Sequence, residues 1–263
     1  MKLDSCFPWF SLLCASSLWA ADPAPTPPAS TTPATAASSA AAPAPAPAAS
    51  DTGFVSIFDG KTLTDWDGDP KYWRVENGTL VGEITPETIV KRNTFIIWRG
   101  GAPRDFELKM QYRISALGNS GINYRSVELT DAKWSLRGYQ ADIDGPGKSK
   151  TVRHTGQNYE ERGRTFLARR GEIVRIDASA KPTVIGSLGD AKTLETFVKN
   201  DDWNEYHLVA RGSVITHLLN GQVMSVVIDD DEKNRRFDGL IGVQGHVGPP
   251  MKVEYRNIRL KTL

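Results

Sequence analysis

The chain has 263 residues, and its 32 Lys and Arg against 31 Asp and Glu leave a formal charge of +1. Charges of both signs are scattered, which excludes the basic footprint of a nucleic-acid binder or of a protein drawn to anionic membranes. Both cysteines, Cys6 and Cys14, fall in the first twenty residues, so the rest of the chain has no thiol nucleophile, no disulfide and no cysteine-held metal.

Lys2, an apolar stretch from Cys6 to Trp19 and the small residues Ala20 and Ala21 predict a cleavable export signal over residues 1–21, and hence a periplasmic, envelope or extracellular protein. The stretch is too short and too interrupted for a membrane span. Cys14 lacks the small residue that normally precedes a lipidated cysteine. Residues 22–52 are almost wholly Ala, Pro, Ser and Thr and hold half of the 16 prolines. Such a segment cannot bury enough apolar surface to fold and is expected to be a semi-extended, disordered spacer. Residues 53–263 remain, enough for one domain with a substantial core.

Within that domain, short alternating runs are separated by Gly, Asn, Asp and Pro. Trp73–Glu76 and Thr79–Val81 flank Asn77-Gly78, and Val214–Leu219 and Gln222–Ile228 flank Asn220-Gly221; both read as hairpins, because Asn-Gly supplies the two left-handed residues of a tight turn. Further strands are expected at Thr94–Trp98, Phe106–Ser115, Glu172–Ala178, Asn204–Arg211, Leu240–His246 and Lys252–Leu260. Only Asp190–Val198 reads as a helix, with Asp190 as its cap and Leu194, Phe197 and Val198 at helical spacing. Many strands with almost no helix predict an all-β sandwich or jelly roll.

Two runs carry the chemistry. In residues 118–125 alternation sets Asn123 and Arg125 opposite Ile122 and Tyr124. In residues 138–144 it sets Gln140, Asp142 and Asp144 opposite Tyr139, Ala141 and Ile143. If the runs are neighbours, a guanidinium, amides and carboxylates share one rigid face, which suits a polyhydroxylated ligand such as a carbohydrate. In residues 242–246, Gly242, Gln244 and His246 share a face opposite Val243. His217 reads as structural, and His154 and His207 as ordinary surface or packing residues. Trp66 and Trp73 are expected in the core. Asp142 and Asp144 also offer hard oxygen ligands of the kind a divalent cation takes.

Several segments in order resemble the 3-keto-disaccharide hydrolase domain family: Ile-Phe-Asp-Gly-Lys-Thr-Leu-Thr-Asp-Trp (57–66), Trp-Arg-Val-Glu-Asn-Gly-Thr-Leu-Val-Gly (73–82), Asp-Phe-Glu-Leu (105–108), Asn-Ser-Gly-Ile-Asn-Tyr-Arg (119–125), Gly-Tyr-Gln-Ala-Asp-Ile (138–143), Asp-Trp-Asn-Glu-Tyr (202–206), His-Leu-Leu-Asn-Gly (217–221) and Tyr-Arg-Asn-Ile (255–258). The resemblance implies a concanavalin-like jelly-roll sandwich in an exported bacterial protein that acts on glycosides oxidised at C3, often beside a partner sugar dehydrogenase. Many members carry Glu two residues after the motif glycine, where this chain has Gln140, with Asp142 two positions on. Tyr159-Glu160-Glu161-Arg162 resembles a family loop near the site, which offers Glu160 or Glu161 as a second carboxylate.

A ketone at C3 acidifies the hydrogen on C2, so the reaction implied needs a base, a stabiliser of enolate charge and a proton donor for the leaving oxygen. Asp142 or Asp144 is the candidate base and Arg125 or His246 the candidate oxyanion partner. Asn119, Asn123, Gln140, Gln244, Glu160 and Glu161 are candidate substrate contacts. Hydrolysis by two carboxylates is the other catalytic route, and a lectin-like module using the same face without chemistry is the alternative from another class.

Overall fold

Alternation makes a strand two-faced, and what each face meets decides its burial. In the computed structural model, which describes residues 51–148 and 150–263, seventeen strands form. The first nine are β1 (Val55–Ser56), β2 (Trp66–Asp67), β3 (Trp73–Glu76), β4 (Thr79–Ile84), β5 (Thr94–Trp98), β6 (Phe106–Ile114), β7 (Asn119–Glu128), β8 (Leu136–Asp144) and β9 (Asn158–Glu161). They are followed by β10 (Thr165–Ala168), β11 (Glu172–Ile176), β12 (Pro182–Ser187), β13 (Asn204–Arg211), β14 (Val214–Leu219), β15 (Gln222–Asp229), β16 (Leu240–Gly245) and β17 (Met251–Thr262). A helix, α1 (Ala191–Glu195), lies between β12 and β13, and the Asp190 carboxylate caps it by accepting from the amides of Lys192 and Thr193.

The larger sheet runs β12-β11-β15-β14-β13-β6-β17-β4-β3, with β1 on β17, and the smaller runs β10-β9-β8-β7-β16-β5-β2. Pairing is antiparallel except between β11 and β15. Phe106, Leu108, Met110 and Tyr112 from β6, Tyr206 and Leu208 from β13, and Val253 and Tyr255 from β17 meet Ile122, Tyr124, Tyr139, Ile143, Ile241 and Val243 of the smaller sheet in one core. Each such side chain contributes about 1.5–3 kcal/mol by leaving water. The chain is an all-β jelly-roll sandwich.

The two sheets differ in their outward faces. Strand β6 alternates buried with half-buried residues, as a solvated outer face requires, whereas β7 and β8 are buried almost without interruption. On the outward face of the smaller sheet, Gln140 and Asp142 are polar and yet covered, while Phe95, Ile97 and Leu136 form a small apolar cluster of their own.

Both Asn-Gly steps form as expected, with φ of 50° and 78° at Asn77 and Gly78 and of 50° and 83° at Asn220 and Gly221. Trp66 and Trp73 are in the core. Strands β1, β2, β9, β10 and β12 are absent from the sequence expectation: the first four have two to four residues each and β9 carries polar residues on both faces, while β12 shows no buried-exposed alternation. The export signal and most of the spacer lie outside the described residues. Asp51, placed in the spacer by composition, joins the domain by ion pairs to Lys109 (3.0 Å) and Arg259.

Candidate active site

Register decides which side chains share the covered polar face. On one side of β8, Gly121 lies opposite Asp142 and Asn123 opposite Gln140; on the other, Tyr159 lies opposite Gln140 and Glu161 opposite Gly138. Opposed residues of an antiparallel pair project together. Gln140, Asp142, Tyr159 and Glu161 therefore point outward, while Tyr139, Asn158 and Glu160 point into the sandwich. A pocket of about 390 Å³ opens on the outward face, and Asn119, Asn93, His154, Arg162, Phe166 and His246 complete its wall. This volume is ordinary for a small-molecule site.

Its two carboxylates are joined by amides. Gln140 Nε2 donates to Asp142 Oδ1 (2.7 Å), and Gln140 Oε1 accepts from Gln244 Nε2 (3.0 Å), which also donates to Glu161 Oε2 (3.3 Å). Asn93 Nδ2 closes the line on Glu161 Oε1 (3.2 Å). Gly121 makes the arrangement sterically possible: a Cβ there would stand 2.5 Å from Cγ and Cδ of Gln140. Asp142 Oδ2 has no hydrogen-bond partner among the described residues.

Burial pushes the Asp142 carboxyl up to about 8; the Gln140 bond opposes this shift, and the nearby Asp144 and Glu161 charges reinforce it. Burial also raises Glu161, against the stabilising donors Asn93 and Gln244 and the Arg162 charge. Glu161 thus has more hydrogen-bond donors, and a cation, in support of its ionised form than Asp142 has. Burial lowers His246, an effect its backbone bond at Val247 opposes and the His154 charge strengthens. These surroundings favour the neutral form of the imidazole. On the facing wall, Tyr159 meets Phe166 edge-on at 5.1 Å between centroids and His154 stacks on Phe166 at 5.6 Å, giving an aromatic surface against which a sugar ring fits.

Of the residues proposed from sequence, Asp142, Glu161, Gln140, Asn119 and His246 line the pocket, and Gln244 lies buried beneath it as the link between the carboxylates. Four others are placed differently. Arg125 has φ of 45° at an irregularity in β7 between Tyr124 and Val127, and this breaks the alternation that would have turned it outward. Its guanidinium is buried and donates to the carbonyls of Arg104 (2.7 Å) and Gly212 (2.8 Å) and to Asp105 (3.1 Å). Arg125 is a structural tie to the larger sheet.

Asp144 is a loop clamp. Its carboxylate accepts from the amides of Arg153 (2.7 Å), His154 (3.1 Å) and Thr155 (2.8 Å) and from the Thr155 hydroxyl (2.8 Å). The structure thus gives Asp144 the role of holding the 153–155 turn rather than of lining the pocket, and among the described residues no group of three or more His, Cys, Asp or Glu is placed to hold a metal. Glu160 points inward to Arg164 (2.5 Å). Asn123 is wholly buried and does not line the pocket.

Sequence reasoning missed Arg162, Asn93 and Phe166 as wall residues and set His154 aside. The signal for His154 was weak but real, since a carboxylate two residues beyond Asp142 can turn the following loop back over the same face. His217 is structural as expected: it is fully buried, held at 2.7 Å from the Tyr124 hydroxyl and pushed down to about 3 by burial.

Residues 53–261 match the family of 3-keto-alpha-glucoside-1,2-lyase-like domains. A Bacteroides thetaiotaomicron protein named 3-keto-disaccharide hydrolase is 24% identical over 246 positions, covering 80% of this chain and 79% of that one. Among solved structures, a candidate glycosyl hydrolase from Parabacteroides distasonis aligns with a TM-score of 0.52 at 19% identity, over 80% of this chain and 99% of that one. A Bacillus subtilis protein with a galectin-like fold aligns at 0.50 and 12% identity, over 76% and 90%. These two likenesses establish the jelly-roll fold.

Proposed function

The chain belongs to the 3-keto-alpha-glucoside-1,2-lyase-like domain family, and from that premise we propose that it is an exported enzyme that cleaves 3-keto-glycosides by elimination followed by hydration. The observation that carries this reading is the pair of carboxylates in one pocket, joined through Gln140 and Gln244, with Asp142 raised to about 8 and Glu161 better supported in its charged form. Groups whose surroundings separate their proton affinities divide acid from base work.

Glu161 takes the C2 proton of the bound ketone, and the electron pair from that C–H bond moves into an enolate with its negative charge on the C3 oxygen. Arg162 and the neutral His246 are the pocket's donors for that oxygen. The enolate then collapses to a C1–C2 double bond as the bond from C1 to the aglycone oxygen breaks, and Asp142 supplies the proton that the departing oxygen needs. Water adds to C1 of the enone and a proton returns to C2, giving a free 3-keto sugar. The ketone must come from a prior oxidation at C3, and the apolar N-terminal segment supports export.

Turnover of 3-keto-glucosides in heavy water provides the test. Elimination predicts deuterium at C2 of the product beyond that of an enzyme-free control, whereas direct hydrolysis leaves C2 unlabelled. Binding with no turnover would make the pocket a lectin site. As an acid, Asp142 must be protonated, so the rate should fall as pH rises through about 8. A rate that instead climbs through that range would make Asp142 the base.

A further inference from the structure

Asn93 belongs to two recesses. Beyond the catalytic pocket, it borders a second one of about 450 Å³ whose walls include Lys71, Tyr72, Lys91, Arg92, Lys133 and Trp134. Asp69 is the sole carboxylate of that lining, and its Oδ1 accepts the backbone amide of Lys71 (2.9 Å). The neighbouring carboxylates are already engaged, since Asp67 and Glu128 each lie 2.7 Å from the Arg99 guanidinium. Four cationic side chains therefore face one recess without a salt bridge among the described residues.

Its aromatic floor is held in place at some conformational cost. Trp134 has φ of 54°, an uncommon conformation for a bulky residue, fixed by its amide to Glu128 Oε1 and its indole Nε1 to Asp67 Oδ1, both at 2.8 Å. The Lys133 ammonium lies 3.9 Å from the Trp134 ring centroid and Lys71 lies 5.4 Å from that of Tyr72. Rings beneath cations localise positive charge beside a flat apolar surface. An acidic sugar unit, with an anion to pair with the cations and an apolar ring edge to lie beside the aromatic side chains, fits both features.

We propose that this recess is a subsite for a carboxylated or sulfated sugar unit of the glycoside bound at Asp142 and Glu161. The assignment rests on the reading of that pocket as a glycoside site. It explains why four cations without a salt bridge among the described residues gather next to a pocket that has carboxylates of its own, and it makes the enzyme selective for acidic glycans.

The test uses the full chain carrying Asp142→Asn, so that binding is read without turnover, with 4-O-glucuronosyl-glucose, 6-sulfated cellobiose and cellobiose as probes. Either or both acidic probes should bind about fivefold or more tightly than cellobiose at low salt, with the preference shrinking as salt is raised. Which acidic probe is preferred distinguishes carboxylate from sulfate. Adding Arg92→Ala and Lys133→Ala, both at exposed positions, should reduce the preference about threefold or more, towards equal binding of the three probes. Trp134→Phe should remove the accompanying change in tryptophan fluorescence. Equal binding of all three probes, or a preference that survives the double substitution, overturns the subsite. Failure of the unsubstituted enzyme to turn over 3-keto-glycosides would count against the reaction while leaving this charge preference readable.

Discussion

Asp142 shows what a buried carboxyl costs in stability. Its folded-state value of about 8 lies above the ordinary 3.8, so its contribution to stability is complete below about pH 4 and is lost as pH rises towards 8. Asp142→Asn keeps the shape without the charge. Urea unfolding should show the variant gaining on the parent across that range, by a few kcal/mol at pH 9. Its turnover should fall about a hundredfold or more with an alkyl 3-keto-glucoside, and less with a 4-nitrophenyl one, whose leaving oxygen needs little help from an acid. A second residue-scale test is Gly121→Ala. The added methyl would drive Gln140 off its present path, costing about 1–3 kcal/mol and reducing turnover because the link between Asp142 and Gln244 is broken. Unfolding and rate measurements on the same protein separate the two effects.

At the scale of elements, strand β8 fixes the site because consecutive outward residues serve different ends. Gln140 and Asp142 reach into the pocket, whereas Asp144 binds the 153–155 turn and so brings His154 over the same face. Asp144→Ala should free that turn and leave buried amides without partners, lowering stability by about 2–4 kcal/mol and raising amide hydrogen exchange in residues 153–155 well beyond the rest of the smaller sheet. The β14–β15 hairpin is a separate element whose need is backbone conformation alone. Gly221 has φ of 83° and open space where a Cβ would stand, so Gly221→Ala should cost about 1 kcal/mol through strain with turnover unchanged.

Across the whole molecule, buried ionic and polar ties join the sheets. Arg164, between β9 and β10, bonds Glu160 of the smaller sheet and Asp229 of the larger (2.7 Å), together with Asp231 (3.1 Å). The Tyr139 hydroxyl also donates to Asp229 (2.6 Å). Removing the guanidinium by Arg164→Met would strand three nearly inaccessible carboxylates, and thermal unfolding should register a loss of about 3–5 kcal/mol.

The longer strands, both Asn-Gly hairpins, the cap at Asp190 and the presence of a polar face around Gln140 and Asp142 were legible in the sequence, because each depends on side-chain type and local spacing. Alternation could not say how Tyr159 through Glu161 lay against β8, and a one-residue difference in register exchanges Glu160 for Glu161 at the pocket. Nor could it show that a left-handed residue in β7 would carry Arg125 across the sandwich, since that depends on the carbonyls of Arg104 and Gly212, far away in the chain. Residue types and short-range periodicity fixed the kind of fold and the chemistry available. Register, strand irregularity and contacts between distant segments decided which carboxylates share the pocket, and these become defined only when the sheets pair and pack.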